Sequence, residues 1–339
     1  MVLLTDLPFD VLSLLPEHVD SLEDLHALVL TSRLLRDYTS KPSSHTLHRL
    51  ASDIQPYPHF LLAVKARSLA NWAIQSRETR RTLLIAIASG RLTVILDLAL
   101  SVSPLTLADL LFLRNALTNI IYPANIALIH SSGSNLERGM ICSDFIASMA
   151  HFWIYCDLFY HSIVAPVHAI AVGHEVVEPL SEGIRREWVV KFIPNGTPGI
   201  YVTYRSHETI PNTAAEDMHS LIGSSLYPVL GKYTATYHKR EDATPQQIIF
   251  RDCAIHMGIS TLQLYLAGTR ARAEGDIRDA WPAEVAELER VAESLSAEGA
   301  RKVWEVYGRK TPKGWLCVKV QVGWWALLFD IAMILFSQK

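Results

Sequence analysis

Histidine is the residue type of this chain with the widest chemical use, because an imidazole can bind a metal or carry a proton near neutral pH. The chain has 14 histidines among 339 residues. In the stretch HAIAVGHEVVE, His174 and Glu178 have the one-turn spacing of a metal-ligand pair, with His168 and Glu175 nearby. An HExxH zinc motif would need histidine where Glu178 stands, and Gly173 disfavours a rigid helix there. We therefore expect polar groups of the surface or of interfaces, and no metal site.

A second group of candidate ligands lies on the apolar segment that follows residue 145. His151, Cys156 and His161 are spaced by five residues. Each step of five rotates about 140° around a helix, so the three side chains do not share a face. We expect them to be core or half-buried polar residues.

The motifs that hold nucleotides or activate a nucleophile are absent from the sequence. It contains no GxxxxGK[ST], no GxGxxG and no GxSxG. The four cysteines form no CxxC pair, so they predict buried free thiols in a reducing compartment: Cys142, Cys156, Cys253 and Cys317. The adjacent Glu216 and Asp217 point apart on a helix and do not make an acid–base pair. The sequence thus predicts no catalytic residue, no metal and no cofactor.

Composition and charge exclude further classes of function. Half of the residues are hydrophobic and the net charge is −3, so the chain has enough apolar surface for a large core and lacks the basic excess of a nucleic-acid-binding protein. Residues 316–336 are apolar but contain Lys319, Gln321 and Asp330, and an acid at mid-membrane costs about 2.5–3.5 kcal/mol. We expect a short strand and a buried helix there, with membrane contact unlikely on this count. Since no secretory signal opens the chain, we expect a cytoplasmic or nuclear protein.

The spacing of apolar residues predicts a mainly α fold. A long helical stretch covers residues 57–130, with Gly90 ending one of its helices. Ser103 and Pro104 resemble an N-cap followed by proline at the first helical position. The apolar stretch after residue 145 predicts a buried helix that ends near Pro166.

The middle of the chain predicts a small β element. Residues 186–206 hold two β-rich runs around the turn Pro194–Gly199, which is typical of a hairpin, and residues 233–238 are another strand candidate. Helices return from Pro245 onward, and residues 283–307 predict amphipathic helix with a solvated outer face.

The opening of the chain predicts a helix, a turn and a second helix over residues 6–38. Leu12, Leu15 and Val19 make one apolar stripe. Ser21 has the position of an N-cap, with Asp24 three residues on. Leu22, Leu25, Leu28 and Val29 form the stripe of the second helix. Two short amphipathic helices cannot bury their apolar faces alone, so they must pack on the rest of the chain or on a partner.

This opening resembles an F-box, and specifically the fungal variants of that domain. The resemblance covers about 35 to 40 residues and begins with Leu7 and Pro8. Paired and spaced aliphatic residues follow, and residues 30–35, LTSRLL, match the closing run of the motif. Two positions depart from the pattern. Asp10 stands where glutamate is common, and Pro16 falls inside the first helix, where a missing amide costs up to about 3 kcal/mol if the helix is regular.

The resemblance implies an N-terminal F-box helical hairpin, packed on or tethered to a larger helical domain with a small β-hairpin. Its domains would be residues 1–45, F-box-like, and residues 46–339, a substrate-recruiting or interaction region. The chain would be a substrate adaptor of a cullin-RING ubiquitin ligase, binding a Skp-family adaptor protein and an unknown protein substrate and catalysing no reaction itself. The residues that would form or support the adaptor-binding face are Leu7, Pro8, Val11, Leu12, Leu15, Val19, Leu25 and Leu28.

Two other functions fit the sequence. One is a helical scaffold whose F-box-like start has lost adaptor binding, an interpretation that Pro16 favours. The other is an enzyme with a dispersed site, which a deep polar pocket around His151, His168 or His174 would favour and a packed core there would disfavour.

Overall fold

The computed structural model describes residues 7–39, 42–52, 54, 57–132, 145–176, 180, 184, 188, 201–203, 209–211, 244–271 and 281–306. The first helices are α1 (Phe9–Leu14), α2 (Leu22–Thr31), α3 (Arg33–Thr39), α4 (Ser44–Ala51), α5 (Tyr57–Ala73), α6 (Arg77–Ala88), α7 (Leu92–Val102), α8 (Leu107–Ala116) and α9 (Tyr122–Ser132). The later ones are α10 (Phe145–Leu158), α11 (Tyr160–Ile163), α12 (Ala165–Ala171), α13 (Pro245–Ala254), α14 (Ile259–Ala271), α15 (Ala283–Ser294) and α16 (Ala297–Val306). A 3₁₀ turn, Leu15–His18, follows α1, and a π-helical turn, Leu117–Ile121, joins α8 to α9.

The prediction of a mainly α fold is confirmed. The described strands are β1 (Tyr201–Thr203) and β2 (Thr209–Pro211), which pair antiparallel with Val202 opposite Ile210. This pair differs from the predicted hairpin, in which the runs before and after residues 194–199 would pair with each other. Instead, β1 pairs with β2, which follows it in the chain. That turn, the strand candidate at 233–238 and the apolar segment 316–336 lie outside the described residues.

Several helix boundaries test the local predictions. Gly90 follows α6 with a φ of +68°, so the prediction of a helix end at this glycine is confirmed. The prediction that Ser103 and Pro104 begin a helix is wrong: Ser103 ends α7, and α8 begins after Thr106. Thr106 is the stronger cap because its side chain accepts the amide of Asp109 while that carboxylate accepts the amide of Thr106.

The predicted single helix after residue 145 is three helices. Phe159 and Val164 interrupt it, and Pro166 lies in the first turn of α12, so the prediction that the helix ends near Pro166 is wrong. Proline is accommodated there because the amides of the first turn have no partner within the helix. The amphipathic segment 283–307 forms α15 and α16, with a break at Leu295.

One hydrophobic core joins the N-terminal helices to the rest of the described chain. The helix α5 packs between α10 and α7, and its residues Phe60, Leu62 and Leu69 are fully buried. Leu22 and Leu25 of α2 belong to the same buried cluster. The 1–45 boundary between two domains remains a prediction, but the N-terminal helices bury part of their apolar face within this chain.

A buried lysine ties α5 to the start of α8. The side chain of Lys65 is 3% exposed, and its ammonium donates to Asp109 (2.6 Å) and to the carbonyl of Pro104 (2.9 Å). Asp109 therefore both completes the capping box of Thr106 and serves as the counter-ion of Lys65. Because a buried charge without partners is costly, this arrangement fixes the loop before α8 against α5.

Candidate functional site

The N-terminal helices form the part of the chain whose sequence pattern most favours binding, and Pro16 does not disrupt them. The helix α1 ends at Leu14, and Pro16 lies at the start of the 3₁₀ turn that follows. The amide of Leu15 bonds to the carbonyl of Leu12, so that carbonyl does not need the amide that proline lacks. The expected cost of a proline in a regular helix does not arise, because the helix ends before it.

Local hydrogen bonds set the beginnings of α2 and α3. The hydroxyl of Ser21 accepts the amide of Asp24 at 3.1 Å and donates to its carboxylate at 2.7 Å, which confirms the predicted cap. Ser32 starts α3 in the same way, accepting the amide of Leu35 at 3.1 Å. Both α1 and α2 pack on α3, so three short helices and one 3₁₀ turn form the unit. The sequence predicts two helices here, and the structure has a third, because Ser32 separates α2 from α3.

The N-terminal unit is attached to the following helices by polar contacts as well as by the core. Arg49 of α4 donates to the carbonyl of Val19 at 2.6 Å, and Arg114 of α8 forms an ion pair with Glu23. These contacts satisfy a carbonyl that the turn before α2 leaves open. They link the unit to α4 and α8.

The structure divides the eight predicted adaptor-binding residues by exposure. Leu12 and Leu25 are buried inside the chain, so they can support a binding face but cannot contact a partner directly. Pro8 and Val11 are exposed. The half-buried members are Leu7, Leu15, Val19 and Leu28.

Other apolar residues of the unit, which the sequence did not single out as contacts, are more exposed. Phe9 and Leu30 are each 59% exposed, and Leu14 and Leu34 are exposed as well. With Val11 they make five of the eleven large apolar side chains that are exposed among the described residues. We call these five side chains the N-terminal apolar surface. Their angular position around the helix axis could have identified them in the sequence, since each lies outside the apolar stripe that Leu12 and Leu25 direct into the core.

The charges beside this surface are unevenly distributed along the chain. Residues 10–24 carry Asp10, Glu17, Asp20, Glu23 and Asp24, all exposed. Arg33 and Arg36, on either side of Leu34, are exposed as well, so charges of both signs accompany the surface. Exposed apolar side chains accompanied by charged ones are common at protein–protein interfaces.

A second polar arrangement lies between α5, α10 and α11, where Arg67 and Asp157 are half-buried. Arg67 donates from Nε (3.1 Å) and Nη2 (2.5 Å) to one carboxylate oxygen of Asp157, and the indole of Trp153 donates to the other at 2.6 Å. The guanidinium of Arg67 also lies 3.5 Å from the centre of the Tyr160 ring. Burial raises the pKa of Asp157 and that of Tyr160, and Arg67 opposes both shifts. Because the carboxylate already accepts three hydrogen bonds, we interpret these groups as a structural link between the helices rather than as a substrate-binding site.

Among the described residues, the candidate histidines His151, His168 and His174 do not converge on one site. His151 is 2% exposed and its ring lies edge-on to that of His59, with 4.7 Å between the ring centres. Burial, with a smaller contribution from His59, lowers the pKa of His151 to about 3, so its imidazole is neutral. This packed surrounding disfavours the dispersed enzyme site that a polar pocket around His151 would have indicated. His168 is half-buried, and His174 and Glu175 are exposed.

The other candidate ligands are placed as the sequence predicted or lie outside the described residues. Cys156 is fully buried and His161 is half-buried, accepting or donating a 2.7 Å hydrogen bond with Asn71. Burial raises the pKa of the Cys156 thiol, which makes it a poor nucleophile. No group of three or more His, Cys, Asp or Glu side chains that could hold a metal occurs among the described residues.

No described helix combines the length and the apolar character that crossing a bilayer requires. The chain matches no protein-family model, no curated protein and no solved structure.

Proposed function

We propose that the chain is a substrate adaptor of a cullin-RING ubiquitin ligase, which docks on a Skp-family adaptor protein through its N-terminal F-box-like unit. The observation that supports this most is the N-terminal apolar surface. Five exposed apolar side chains on three short, mutually packed helices are more than isolated surface leucines would explain. The larger helical body would then recruit a protein substrate.

The geometry changes which residues carry the proposed interface. Leu12 and Leu25 position α1 and α2 from inside the core. In the proposed complex, the adaptor contacts Val11, Leu14 and Leu34, and also Pro8 at the start of α1. This assignment keeps the order of the F-box-like motif and moves the contacting residues to the outer faces of its helices.

The alternative of a scaffold that has lost adaptor binding depended on Pro16. In the structure that residue lies in a 3₁₀ turn after α1 and leaves the helix regular. The reason for expecting a damaged docking face is therefore removed.

The test is isothermal titration calorimetry of the full chain with a Skp-family adaptor protein. The test variant carries Leu14→Asp and Leu34→Asp, which put two charges where apolar area would be desolvated. We expect binding to weaken by at least about a hundredfold, since losing central contacts of an interface costs about 2 kcal/mol or more each.

The control is Ile85→Asp on α6, an exposed apolar residue far along the chain from the N-terminal unit. It should bind the adaptor as the wild type does. Absence of wild-type binding, or equal loss in the control, would overturn the proposal. Circular dichroism must show all variants folded, which is expected because each changed side chain is already exposed.

A further inference from the structure

The outer side of α6 carries arginines at the beginning of the helix. Residues 76–91 contain four arginines and one glutamate, a local charge of +3 in a chain whose net charge is −3. Arg77 stands at the first position of α6, Arg81 one turn later and Ile85 one turn further, and all three are exposed. Side chains one turn apart are neighbours on a helix surface, so the three form a line along its axis. We call these three side chains the α6 basic face.

The two arginines of this face do not stabilise the helix that carries them. A cation near the N-terminus of a helix opposes the helix dipole, and like charges one turn apart repel each other. Within the described part of the chain, the guanidinium groups of Arg77 and Arg81 have no hydrogen bond and no ion pair. Glu78 is exposed as well, but its carboxylate pairs with neither arginine. The chain therefore carries two unpaired cations where neutral side chains would be more stable.

The α6 basic face points away from the core. Helix α6 packs mainly against α5 and α7, and its buried residues Leu83, Ala86 and Ile87 attach it there. On the outer side, Ile85 is 63% exposed, more than any side chain of the N-terminal apolar surface. The face therefore joins two positive charges to one apolar side chain over about 12 Å, at 1.5 Å per residue.

We propose that the α6 basic face binds an acidic helical segment of another protein. The argument is charge complementarity at a fixed spacing. Arg77 and Arg81 are about 6 Å apart along the axis, which is the rise of one turn of a partner helix. Two carboxylates one turn apart on that helix can pair with the two arginines, and an aliphatic side chain one turn further can cover Ile85. Pairing removes the repulsion between the two cations.

Two other anionic partners fit the face less well. A single-stranded nucleic acid stacks its bases on aromatic side chains, and residues 77–88 contain none. A helix that lies on an anionic membrane inserts several large apolar side chains beside its cations, whereas this face exposes Ile85 alone. Since the chain carries −3 and residues 76–91 carry +3, the other residues carry −6, which repels a long polyanion more than a segment with two carboxylates. The face lies outside the N-terminal unit, so this proposal does not depend on adaptor binding.

Nuclear magnetic resonance of the full chain with isotope-labelled arginine tests the proposal through the Nε–Hε signals of the guanidinium groups. The single variants Arg77→Gln and Arg81→Gln identify the two signals. The matched probe is an alanine-based helical peptide with two glutamates one turn apart and a leucine one turn further. The control probe has the same composition, with these three residues on different sides of the helix. The matched peptide should shift both signals at a concentration about fivefold lower than the control peptide, as two exposed ion pairs would give.

Charge reversal separates the face from the net charge of the chain, with binding followed by the fluorescence anisotropy of labelled peptides. Arg77→Glu, Arg81→Glu should lose binding of the matched peptide and should bind a peptide in which lysines replace the glutamates. The matched control is Arg33→Glu, Arg36→Glu, which changes the net charge equally at two other exposed arginines. It should bind the matched peptide to within about twofold of the wild type at physiological salt, where distant charges are screened. Ile85→Ser should weaken binding by about threefold, because the leucine loses its apolar contact.

Equal shifts by the matched and control peptides, equal loss in the two charge-reversed variants, or no shift of either arginine signal would each overturn the proposal. So would larger shifts with oligouridylate or with phosphatidylserine vesicles than with the matched peptide, because the occupant would then be a nucleic acid or a membrane. The comparison of the two peptides uses the wild-type chain, so its outcome does not depend on the folding of any variant.

Discussion

Arg67 and Asp157 lie 90 residues apart in the chain and are joined by two hydrogen bonds to the same carboxylate oxygen, of 3.1 and 2.5 Å. The pair connects α5 to α10 at the point where α10 ends. Trp153 donates to the second oxygen of Asp157, so the carboxylate is held from both sides. The pair is therefore part of the extensive interface between α5 and α10.

Breaking this pair should destabilise the fold. Arg67→Met leaves Asp157 in an apolar surrounding without its counter-ion. We expect a loss of about 2–4 kcal/mol in the free energy of unfolding, near the lower part of the range for buried pairs because Arg67 is partly exposed. Urea denaturation followed by circular dichroism measures it.

The matched control for Arg67→Met is Arg290→Met, whose partner Glu287 lies on the same exposed helix face. That change should alter stability by less than about 0.5 kcal/mol, as exposed pairs do. If the two variants were equally stable, the Arg67 pair would have to be regarded as a solvated surface contact.

Gly258 should tolerate alanine poorly for two separable reasons. Its φ is +59°, and an added Cβ would lie 3.1 Å from Cδ1 of Trp153. Gly173 has a similar φ of +73° but open space around the same position. Gly173→Ala should therefore cost about 1 kcal/mol from backbone strain alone, and Gly258→Ala should cost about 1–3 kcal/mol more from overpacking. Thermal denaturation of both variants gives the difference, and equal costs would show that the turn after α13 can move away from Trp153.

His151 should make stability depend on pH in the acidic range. Its pKa is about 3 in the fold against 6.5 for the free side chain, so the unfolded chain binds a proton that the folded chain excludes. The contribution of His151 to the free energy of unfolding is greatest above pH 6.5 and decreases as the pH falls from 6.5 to 3. At pH 5 the loss is about 2 kcal/mol, from about 1.4 kcal/mol per pH unit.

The His151→Gln variant isolates that contribution, since its side chain does not titrate. Urea denaturation of variant and wild type at pH 7.5 and pH 5 should show a smaller decrease in the variant, by about 2 kcal/mol. His161 and His168, whose pKa values burial also lowers, remain in both proteins and cancel in the comparison. The same decrease in both proteins would mean that His151 becomes protonated without unfolding.

Local signals in the sequence were sufficient for some elements and not for others. Ser21 and Asp24 lie within one turn of each other, so the start of α2 was predictable, and the same holds for Gly90 at the end of α6. Two sequence patterns could mark the start of α8: Ser103–Pro104, and the capping box of Thr106 and Asp109 that begins three residues further on. The helix starts at the second, because Thr106 and Asp109 form reciprocal hydrogen bonds.

Non-local relationships were not accessible from the sequence. Apolar spacing placed Leu12 and Leu25 on stripes, but spacing alone does not say whether a stripe faces the core or a partner. The structure shows that both face the core, and the exposed leucines lie on the other side of the same helices. The contact of Arg67 with Asp157 has no sequence signal, because the two residues lie 90 positions apart in the chain.

Leu12 and Leu14 provide a final test that separates stability from binding within one helix. Leu12 is almost fully buried, so Leu12→Ala should lower the free energy of unfolding by about 2–4 kcal/mol. Leu14 is exposed, so Leu14→Ala should change it by less than about 0.5 kcal/mol while weakening the proposed adaptor binding by about tenfold. For the same two variants, urea denaturation measures the free energy of unfolding and calorimetry measures adaptor binding. If Leu14→Ala lost stability as Leu12→Ala does, the outer face of α1 would be part of the core, and the N-terminal apolar surface would not be available to a partner.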